Sequence, residues 1–252
     1  MDYKDKIVLV TGGASGIGKA ASIAFAKEGA KVVISDVNES GGNETVSEIE
    51  KNGGEAIFIK CNVAKYEQVK SLIEQIIDKY GRLDVGINNA GIGGELARTE
   101  KASNEVFDQV MAVNAAGVFY CMKEQIKVML THGGGSIVNT ASIAGLRGLP
   151  NGIAYVASKH AVVGMTKTAA MEYARNNIRV NALCPVFTVT ALFNPEQMDQ
   201  ASSGLSDKLK AGIPMKRFAE VQEQVDAMLW LASDKATFVT GLALPVDGGI
   251  TA

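Results

Sequence analysis

The chain has 252 residues, of which 47% are hydrophobic and 21% are charged, and this composition fits one large globular domain with a sizeable core. The 25 lysine and arginine residues nearly balance the 27 aspartate and glutamate residues, so a nucleic-acid or anionic-membrane partner has no electrostatic support. Small neutral or mildly polar ligands are therefore expected.

Cysteine and histidine are too scattered for a disulfide framework or a metal site. Cys61, Cys121 and Cys184 show no CxxC spacing, and His132 and His160 cannot form a metal cluster alone. The amino terminus passes from charged residues directly into a strand pattern, unlike a secretory signal, and no apolar run is long enough to span a bilayer. We expect reduced thiols, no metal, no membrane partner and a soluble cytoplasmic protein.

The first predicted element is a buried strand that leads into a glycine-rich turn. An apolar run at residues 6–10 precedes T-G-G-A-S-G-I-G at residues 11–18, and a helix pattern follows. Gly12, Gly16 and Gly18 would let the backbone approach a pyrophosphate, and the helix would offer free N–H groups and the positive end of its dipole. Turns also collect glycine for conformational reasons alone, so this motif by itself is weak.

Asp36 ends the second predicted strand, residues 31–35. In a unit of strand, helix and strand, a carboxylate at this place accepts hydrogen bonds from the adenosine ribose and repels a 2′-phosphate. It therefore predicts NAD rather than NADP. The alternative is that Asp36 caps the helix predicted over residues 38–51.

Strands and helices alternate along the rest of the chain. Strands are predicted at residues 55–60, 83–88, 136–140 and 178–183, with helices at residues 66–80, 103–130 and 153–175. This alternation predicts an α/β fold, a single-domain doubly wound parallel sheet of the Rossmann type with helices on both faces. Ligands of such a sheet bind at the carboxyl ends of its strands.

Three asparagines could belong to a binding site or could only stabilise the fold. Asn88 and Asn89 follow a predicted strand, where they could form a turn, bind a cofactor or brace a neighbouring strand. Asn114 interrupts the predicted helix 103–130, which suggests a kink or a polar role because asparagine competes for backbone groups.

Tyr155 and Lys159 stand four residues apart, so their side chains leave nearly the same face of a helix. A nearby cation favours the phenolate, and lowering the tyrosine pKa from about 10 to about 7 requires on the order of 4 kcal/mol. The alternative is a buried ring beside a solvated lysine.

Taken together, these motifs resemble the short-chain dehydrogenase/reductase family. They cover nearly the whole chain in the family's order: residues 11–18, Asp36, N-N-A-G at residues 88–91, Asn114, Ser142, Y-x-x-x-K at residues 155–159 and V-D-G-G at residues 246–249. The resemblance implies hydride transfer between a nicotinamide cofactor and a substrate carbon.

The resemblance also implies a role for each of four side chains. Tyr155 is the general acid/base that exchanges a proton with the substrate oxygen, and Lys159 lowers its pKa and holds the nicotinamide ribose. Ser142 orients the carbonyl or alcohol, and Asn114 anchors a water in a proton relay. Donors at the substrate oxygen make chemical sense because charge develops there during hydride transfer.

The NAD site that the resemblance implies draws on most strand ends. Its residues are Gly12, Ser15, Gly16, Ile17, Gly18, Asp36, Asn62, Val63, Asn89, Ala90, Gly91, Tyr155, Lys159, Pro185, Val186, Thr188 and Thr190. Either Thr188 or Thr190 meets the nicotinamide amide. Asn62 replaces the family's usual aspartate near the adenine, with a small expected consequence.

Val186 stands where the family usually has glycine after Pro185. A glycine-only backbone conformation there would cost a β-branched residue roughly 1 to 3 kcal/mol; otherwise the side chain projects into the cofactor or substrate cleft. We predict that Val186 narrows the pocket.

Residues 187–215 are predicted to form a short helical flap over the active-site mouth. The alternative is a connection whose apolar face completes the core. The predicted substrate pocket consists of Glu95, Ser142, Leu149, Tyr155, Val186, Phe187 and Leu192.

The preferred function is an NAD-dependent oxidoreductase that interconverts a secondary alcohol and a ketone, in one NAD(P)-binding domain over residues 1–252. One alternative is a 3-oxoacyl-carrier reductase of the same fold, although Asp36 disfavours the NADP that such enzymes normally prefer. Another is an NAD-sensing protein without turnover, which would not need Ser142, Tyr155 and Lys159 together. A homotetramer is expected, since family members commonly assemble through segments that correspond to residues 103–130, 153–175 and 221–246.

Overall fold

A parallel sheet of the Rossmann type forms the centre of the protein, whose computed structural model describes residues 3–190, 193–201 and 203–252. Within these residues the sheet has seven strands: β1 (Ile7–Thr11), β2 (Lys31–Asp36), β3 (Glu55–Lys60), β4 (Val85–Asn88), β5 (Gly135–Thr140), β6 (Ile178–Pro185) and β7 (Ala243–Val246). All pairs are parallel, in the order β3-β2-β1-β4-β5-β6-β7. From β1 to β3 the strand order runs toward one edge of the sheet, and from β4 onward it runs toward the other edge. A crevice opens at the carboxyl ends of β1 and β4, where the two directions meet.

Helices cover both faces of the sheet, as the alternating pattern predicted. One face carries α1 (Gly16–Lys27), α2 (Glu39–Lys51) and α9 (Val221–Ala232). The other face carries α3 (Tyr66–Tyr80), α4 (Asn104–Met111), α5 (Gly117–Thr131) and α6 (Ile153–Tyr173). The doubly wound architecture is thereby confirmed. Within the described residues, no helix is long and apolar enough to span a bilayer.

Strand β1 shows why both faces must be covered. All five of its residues are buried, with Leu9 in the apolar cluster on one face and Val8 and Val10 in the cluster on the other. Successive side chains of a strand point to opposite faces, so an entirely apolar strand needs a layer of helices on each side.

The helix predicted over residues 103–130 is not continuous. Helices α4 and α5 are joined by a π-helical turn, Ala112–Ala116, which contains Asn114. The irregularity inferred from an asparagine inside a helix pattern is therefore present. Such π turns often occur at functional sites because they redirect backbone and side chains.

The flap segment, residues 187–215, contains two short helices, α7 (Pro195–Ala201) and α8 (Leu205–Gly212). Val186, Ile213, Phe218 and Ala219 form a small buried cluster there, separate from the two clusters that flank the sheet. Of these four residues only Ile213 lies within the flap segment, so the cluster joins the segment to the residues just before and after it.

Candidate active site

A cavity of about 840 Å³ lies at the carboxyl ends of the strands. It extends from the glycine-rich turn past Asp36 to Tyr155 and the flap segment. Except for Gly18, every residue predicted to bind the cofactor lines this cavity. The structure therefore brings these predicted residues together in one cavity near the switch between β1 and β4.

The glycine-rich turn has the conformation that brings backbone close to a ligand. Gly12 and Gly16 have φ angles of +67° and +53°, which favour glycine. A Cβ atom on Gly18 would lie 2.1 Å from the Gly12 carbonyl oxygen, so Gly18 serves close packing between turn and helix rather than the cavity wall. Ser15 precedes α1 without capping it through its side chain, which leaves the first-turn N–H groups to an external acceptor.

Asp36 connects the second strand to this turn. Its carboxylate accepts hydrogen bonds from the Ala14 N–H at 3.1 Å and the Asn38 N–H at 3.0 Å. Helix α2 is capped instead by Asn38, whose side chain accepts from the Gly41 N–H. The capping alternative for Asp36 is therefore wrong, and its carboxylate lines the cavity.

The two asparagines after β4 have different surroundings. Asn88 is buried and donates to Gln125 at 3.1 Å and to Asn139 at 2.8 Å, so it braces the neighbouring strand and α5. Asn89 lines the cavity and donates to the carbonyl oxygens of Thr11 and Gly12. The bracing role is thus met by Asn88, whereas Asn89 stays a predicted cofactor-binding residue.

Asn114 is fully buried and holds the loop after β4. Its amide accepts from the Ile92 N–H at 2.8 Å and donates to the Ile92 carbonyl at 2.9 Å and the Ser158 hydroxyl at 3.2 Å. Asn114 is not part of the cavity lining in the described chain. The π turn therefore links α6 to the loop that carries Ala90 and Gly91.

Ser142 follows β5 and is held against α6 by a close backbone approach. Its hydroxyl accepts from the Ala144 N–H at 3.1 Å, which starts a single 3₁₀ turn. A Cβ atom on Gly145 would lie 2.6 Å from the Lys159 carbonyl oxygen, so only glycine allows this contact. Gly145 was not among the predicted site residues, because its role depends on a helix that follows later in the chain.

Lys159 is buried, which excludes the alternative of a solvated lysine. Its ammonium donates to the Thr140 carbonyl oxygen at 2.7 Å and lies 5.6 Å from the centre of the Tyr155 ring. Burial lowers the pKa of Lys159 to about 8.

The pKa of Tyr155 is shifted against expectation. Burial raises the pKa of its phenol above the ordinary value, and the Ser142 hydroxyl opposes this only in part. The expected lowering of this pKa is therefore wrong for the chain by itself, because burial, which disfavours the phenolate, is the largest contribution. The phenol is protonated at neutral pH.

The substrate side of the cavity differs in part from the prediction. Leu149 and Phe187 line it together with Ser142, Tyr155 and Val186. Glu95 does not belong to the described lining, because its carboxylate accepts from the Ser103 N–H at the start of α4. Leu192 lies outside the described residues.

Several lining residues were not assigned to the site from the sequence, because they belong to none of the quoted motifs. They are Ile92, Leu96, Gln109, Val113, Ile143, Arg147, Phe193, Lys208, Leu209 and Ile250. Most are apolar, as a core residue would also be, so composition gives no signal that separates them from the core.

Val186 is accommodated without backbone strain. Among the described residues other than glycine, positive φ angles occur at Asp5, Asn151, Asn177 and Lys216, and not at Val186. Its side chain is 7% exposed and lines the cavity. Of the two possibilities, the one that places the side chain in the cleft is correct.

The two candidate threonines occupy different places. Thr188 is buried and its hydroxyl donates to the Val186 carbonyl at 2.8 Å. Thr190 reaches the glycine-rich turn, since a Cβ atom on Gly16 would lie 3.4 Å from its side chain. Both line the cavity.

The cavity fits a nicotinamide dinucleotide by several independent features. The positive-φ glycines and uncapped helix start suit a pyrophosphate, Asp36 lies beyond them, and Tyr155 and Lys159 lie at the other end. A metal site has no comparable support, since the described part of the chain has no group of three histidine, cysteine or acidic side chains able to hold an ion.

A second cavity, about 550 Å³, lies at the amino ends of the strands. Arg179, Arg82 and Asp84 in its lining are engaged in contacts within the fold. Arg179 donates to the carbonyl oxygens of Leu231, Ala232, Ser233 and Val239, which follow or end α9. Arg82 pairs with Asp84 there. These contacts stabilise the fold and leave the first cavity as the candidate active site.

Comparison with known proteins identifies the family of the chain. Residues 12–251 match a family model described as enoyl-(acyl carrier protein) reductase. The chain is 43% identical to a 2,5-dichloro-2,5-cyclohexadiene-1,4-diol dehydrogenase of Sphingobium indicum, over 100% of this chain and 99% of the relative. It is 41% identical to a cyclohexanol dehydrogenase of an Acinetobacter species, over 99% of this chain and 96% of the relative.

Solved structures show the same fold. A xylitol dehydrogenase bound to NAD⁺ has a TM-score of 0.94 and 32% identity, covering 99% of this chain and 100% of the other. A 3-ketoacyl-(acyl-carrier-protein) reductase from Brucella melitensis in complex with NADH has a TM-score of 0.90 and 34% identity, covering 100% of both chains.

Proposed function

The chain belongs to the short-chain dehydrogenase/reductase family, and we propose that it is an NAD-dependent oxidoreductase that interconverts a secondary alcohol and a ketone. The observation that carries the proposal is the convergence of Ser142, Tyr155 and the buried Lys159 at one end of a cavity whose other end suits a dinucleotide. Two relatives carry names of cyclic-alcohol or diol dehydrogenases, which agrees with this class of reaction.

Tyr155 supplies or removes the proton at the substrate oxygen. During ketone reduction the carbonyl carbon gains a hydride, and its oxygen takes the phenolic proton of Tyr155, which water then replaces. Ser142 donates a second hydrogen bond to that oxygen and stabilises its developing charge. When bound, the nicotinamide cofactor supplies or accepts the hydride.

The raised pKa of Tyr155 favours the reductive direction at neutral pH. A protonated phenol is ready to act as general acid, whereas alcohol oxidation needs the phenolate as base. We therefore expect alcohol oxidation to accelerate as the pH rises and more of Tyr155 becomes phenolate. Over the same rise in pH, Lys159, whose pKa is about 8, progressively loses its charge.

Lys159 has two roles in the proposal. Its bond to the Thr140 carbonyl fixes the ammonium beside the Tyr155 ring, where its charge favours the phenolate. From the same position it would hold the nicotinamide ribose. Asn114 positions the loop with Ala90 and Gly91, and we retain the proposal that Asn114 anchors a water in a proton relay.

Asp36 supports a preference for NAD over NADP. Its carboxylate is fixed by two backbone N–H groups at the edge of the cavity, where it can accept from ribose hydroxyls and repel a phosphate. The 3-ketoacyl-(acyl-carrier-protein) reductase of similar fold was solved with NADH, so that alternative function is retained as second candidate.

The first test measures NADH or NADPH consumption against a panel of ketones and an acetoacetyl thioester, with the Tyr155→Phe variant alongside. We expect turnover with NADH, preference for simple ketones, and loss of turnover in the variant with NAD binding retained. Preference for the thioester would favour the acyl-carrier reductase. NAD binding by the parent protein without turnover of any tested substrate would favour the NAD-sensing alternative.

We also propose that the protein forms a homotetramer in the reducing cytoplasm. Apolar side chains remain exposed on the segments expected to form interfaces, including Phe119 on α5, Met171 on α6 and Phe238 before β7. Cys61, Cys121 and Cys184 are free and buried. Light scattering that finds only a monomer at micromolar concentration would exclude the tetramer.

A further inference from the structure

We propose that the active site selects substrates with an apolar ring next to the reacting carbon, and that Phe187 and Phe193 are the residues that determine this specificity. This inference rests on the proposed function and adds the substrate class. Both phenylalanines line the cavity in the part of the flap segment that faces the reacting groups, and neither was assigned a role in catalysis.

The two rings form one wall. Their centroids are 5.1 Å apart and their planes differ by 29°, so they are stacked and each keeps part of its surface open to the cavity. A substrate ring can pack against this aromatic pair with many simultaneous contacts, whereas a flexible chain makes fewer contacts and loses more conformational freedom on binding.

Phe218 supports this wall from behind. It is buried, lies outside the described cavity lining, and packs edge-on against Phe187 at 6.3 Å and against Phe193 at 5.0 Å. The Lys210 ammonium lies 5.3 Å from the centre of the Phe218 ring. The two half-buried rings therefore pack on a third aromatic ring.

Backbone hydrogen bonds fix both phenylalanines. The Phe193 N–H donates to Thr190 at 3.2 Å, and the Thr190 N–H donates back at 3.0 Å. The Ala219 N–H donates to the Phe187 carbonyl at 3.0 Å. A wall that is ordered before substrate arrives discriminates between shapes better than a mobile one.

Charge near the wall does not require an ionic substrate. Among the described lining residues, Asp36 is the carboxylate, and it lies at the glycine-rich turn. Arg147 and Lys208 are exposed, and Arg147 already donates to the Ile250 carbonyl at 3.3 Å, so both cations remain hydrated at the rim. The surface around the wall is completed by apolar side chains, Ile143, Leu149, Val186 and Leu209.

The test compares ketones with equal numbers of carbons, cyclohexanone with 2-hexanone and acetophenone with 2-octanone. We expect kcat/KM in the parent protein to favour each ring ketone by about tenfold or more. Phe187→Leu and Phe193→Leu should each reduce that preference by about threefold to tenfold while leaving the straight-chain ketones within about twofold. Phe187→Tyr keeps a ring and should keep the preference.

Phe58→Leu is the matched control, since Phe58 lies on β3 at the far edge of the sheet and lines neither described cavity. It should leave the preference unchanged, and thermal unfolding should show that all variants are folded. Equal kcat/KM for ring and chain ketones in an active parent protein, or an equal loss on both in the leucine variants, would overturn this inference alone. Absence of any Tyr155-dependent ketone turnover would instead reject the proposed function.

Discussion

The two walls of the cavity differ in their side chains, which are polar on one wall and apolar on the other. The wall formed by β5, its following turn and α6 presents Ser142, Tyr155 and Lys159, whose positions depend on buried hydrogen bonds and on a backbone contact at Gly145. The opposite wall, formed by Val186 and the flap segment, presents apolar side chains packed on their own small cluster.

This difference separates the reaction from the choice of substrate. Proton transfer requires fixed polar groups at one oxygen, and an error of an ångström there is costly. Apolar packing is less directional, so the flap wall can change shape while the polar wall stays the same. We infer that substitutions in the polar wall change the rate for all substrates, whereas substitutions in the flap wall change which substrate is preferred.

The largest effect should follow from Ser142→Ala. Removing a hydrogen-bond donor from the developing oxyanion typically lowers kcat by about 10²- to 10³-fold, and NAD binding should be retained. Steady-state kinetics and NAD titration measure both. Ser136→Ala is the matched control, because Ser136 is buried at the other end of β5 and should leave kcat unchanged. A loss below about threefold in Ser142→Ala would contradict its role.

Lys159 should oppose folding through its buried charge. With a folded pKa of about 8 against an ordinary value of 10.5, the folded chain releases this proton first, so stability should rise with pH between those values. The gain amounts to about 3 kcal/mol, from roughly 1.4 kcal/mol for each unit of pKa difference. Urea unfolding should show this rise in the parent protein relative to Lys159→Met, which is expected to be inactive.

The control for this pH dependence is Lys167→Met, on the exposed side of the same helix. The stability difference between this variant and the parent protein should be nearly constant over the same pH range, because the ammonium is hydrated in both states. A constant difference for Lys159→Met as well would contradict the burial of a charged Lys159. Comparing each variant with the parent removes the opposing contribution of the buried thiols Cys61 and Cys184, whose pKa values burial raises to about 11.

Gly145→Ala should disturb the polar wall without removing any polar group. The added methyl would lie 2.6 Å from the Lys159 carbonyl oxygen, so the turn after Ser142 must move. We expect a loss of about 1 to 3 kcal/mol in stability and at least about tenfold in kcat. Gly164→Ala on α6 is the control. A Cβ atom added at Gly164 would have no neighbouring heavy atom within 4 Å, so this variant should be neutral or stabilising. Similar behaviour of the two variants would show that the contact is unimportant.

Val186→Gly should have the smallest effect on rate and a clear effect on selectivity. Removing the side chain widens the cavity, so kcat/KM for bulky ketones should rise about threefold or more relative to small ketones. Val189→Gly is the control, since Val189 is 46% exposed and outside the described lining. Unchanged relative activity on small and bulky ketones would show that Val186 does not narrow the pocket.

The sequence predicted the polar wall and the sheet better than the flap wall for a physical reason. Glycine-rich turns, strand-end asparagines and the pair Tyr155 and Lys159 have spacings that the chemistry itself imposes. The parallel sheet with helices on both faces follows from the alternation of strands and helices. These features are local in sequence or limited by topology, so they can be predicted from the sequence alone.

The features that the sequence did not predict depend on contacts between segments that are distant in the chain. Glu95 could not be separated from a pocket residue, because its partner is the Ser103 backbone. The direction of the Tyr155 pKa shift depends on burial, which no residue spacing reports. Phe193 became part of the cavity wall only through its packing with Phe187 and Phe218, which are apolar like any core residue.

The most direct measurement compares kcat/KM for cyclohexanone and 2-hexanone in the parent protein, Ser142→Ala and Phe187→Leu. The separation of reaction from selectivity predicts that Ser142→Ala lowers both values by the same large factor and leaves their ratio unchanged. It predicts that Phe187→Leu lowers the ratio and leaves 2-hexanone nearly unaffected. A changed ratio in Ser142→Ala, or an equal loss on both ketones in Phe187→Leu, would contradict it.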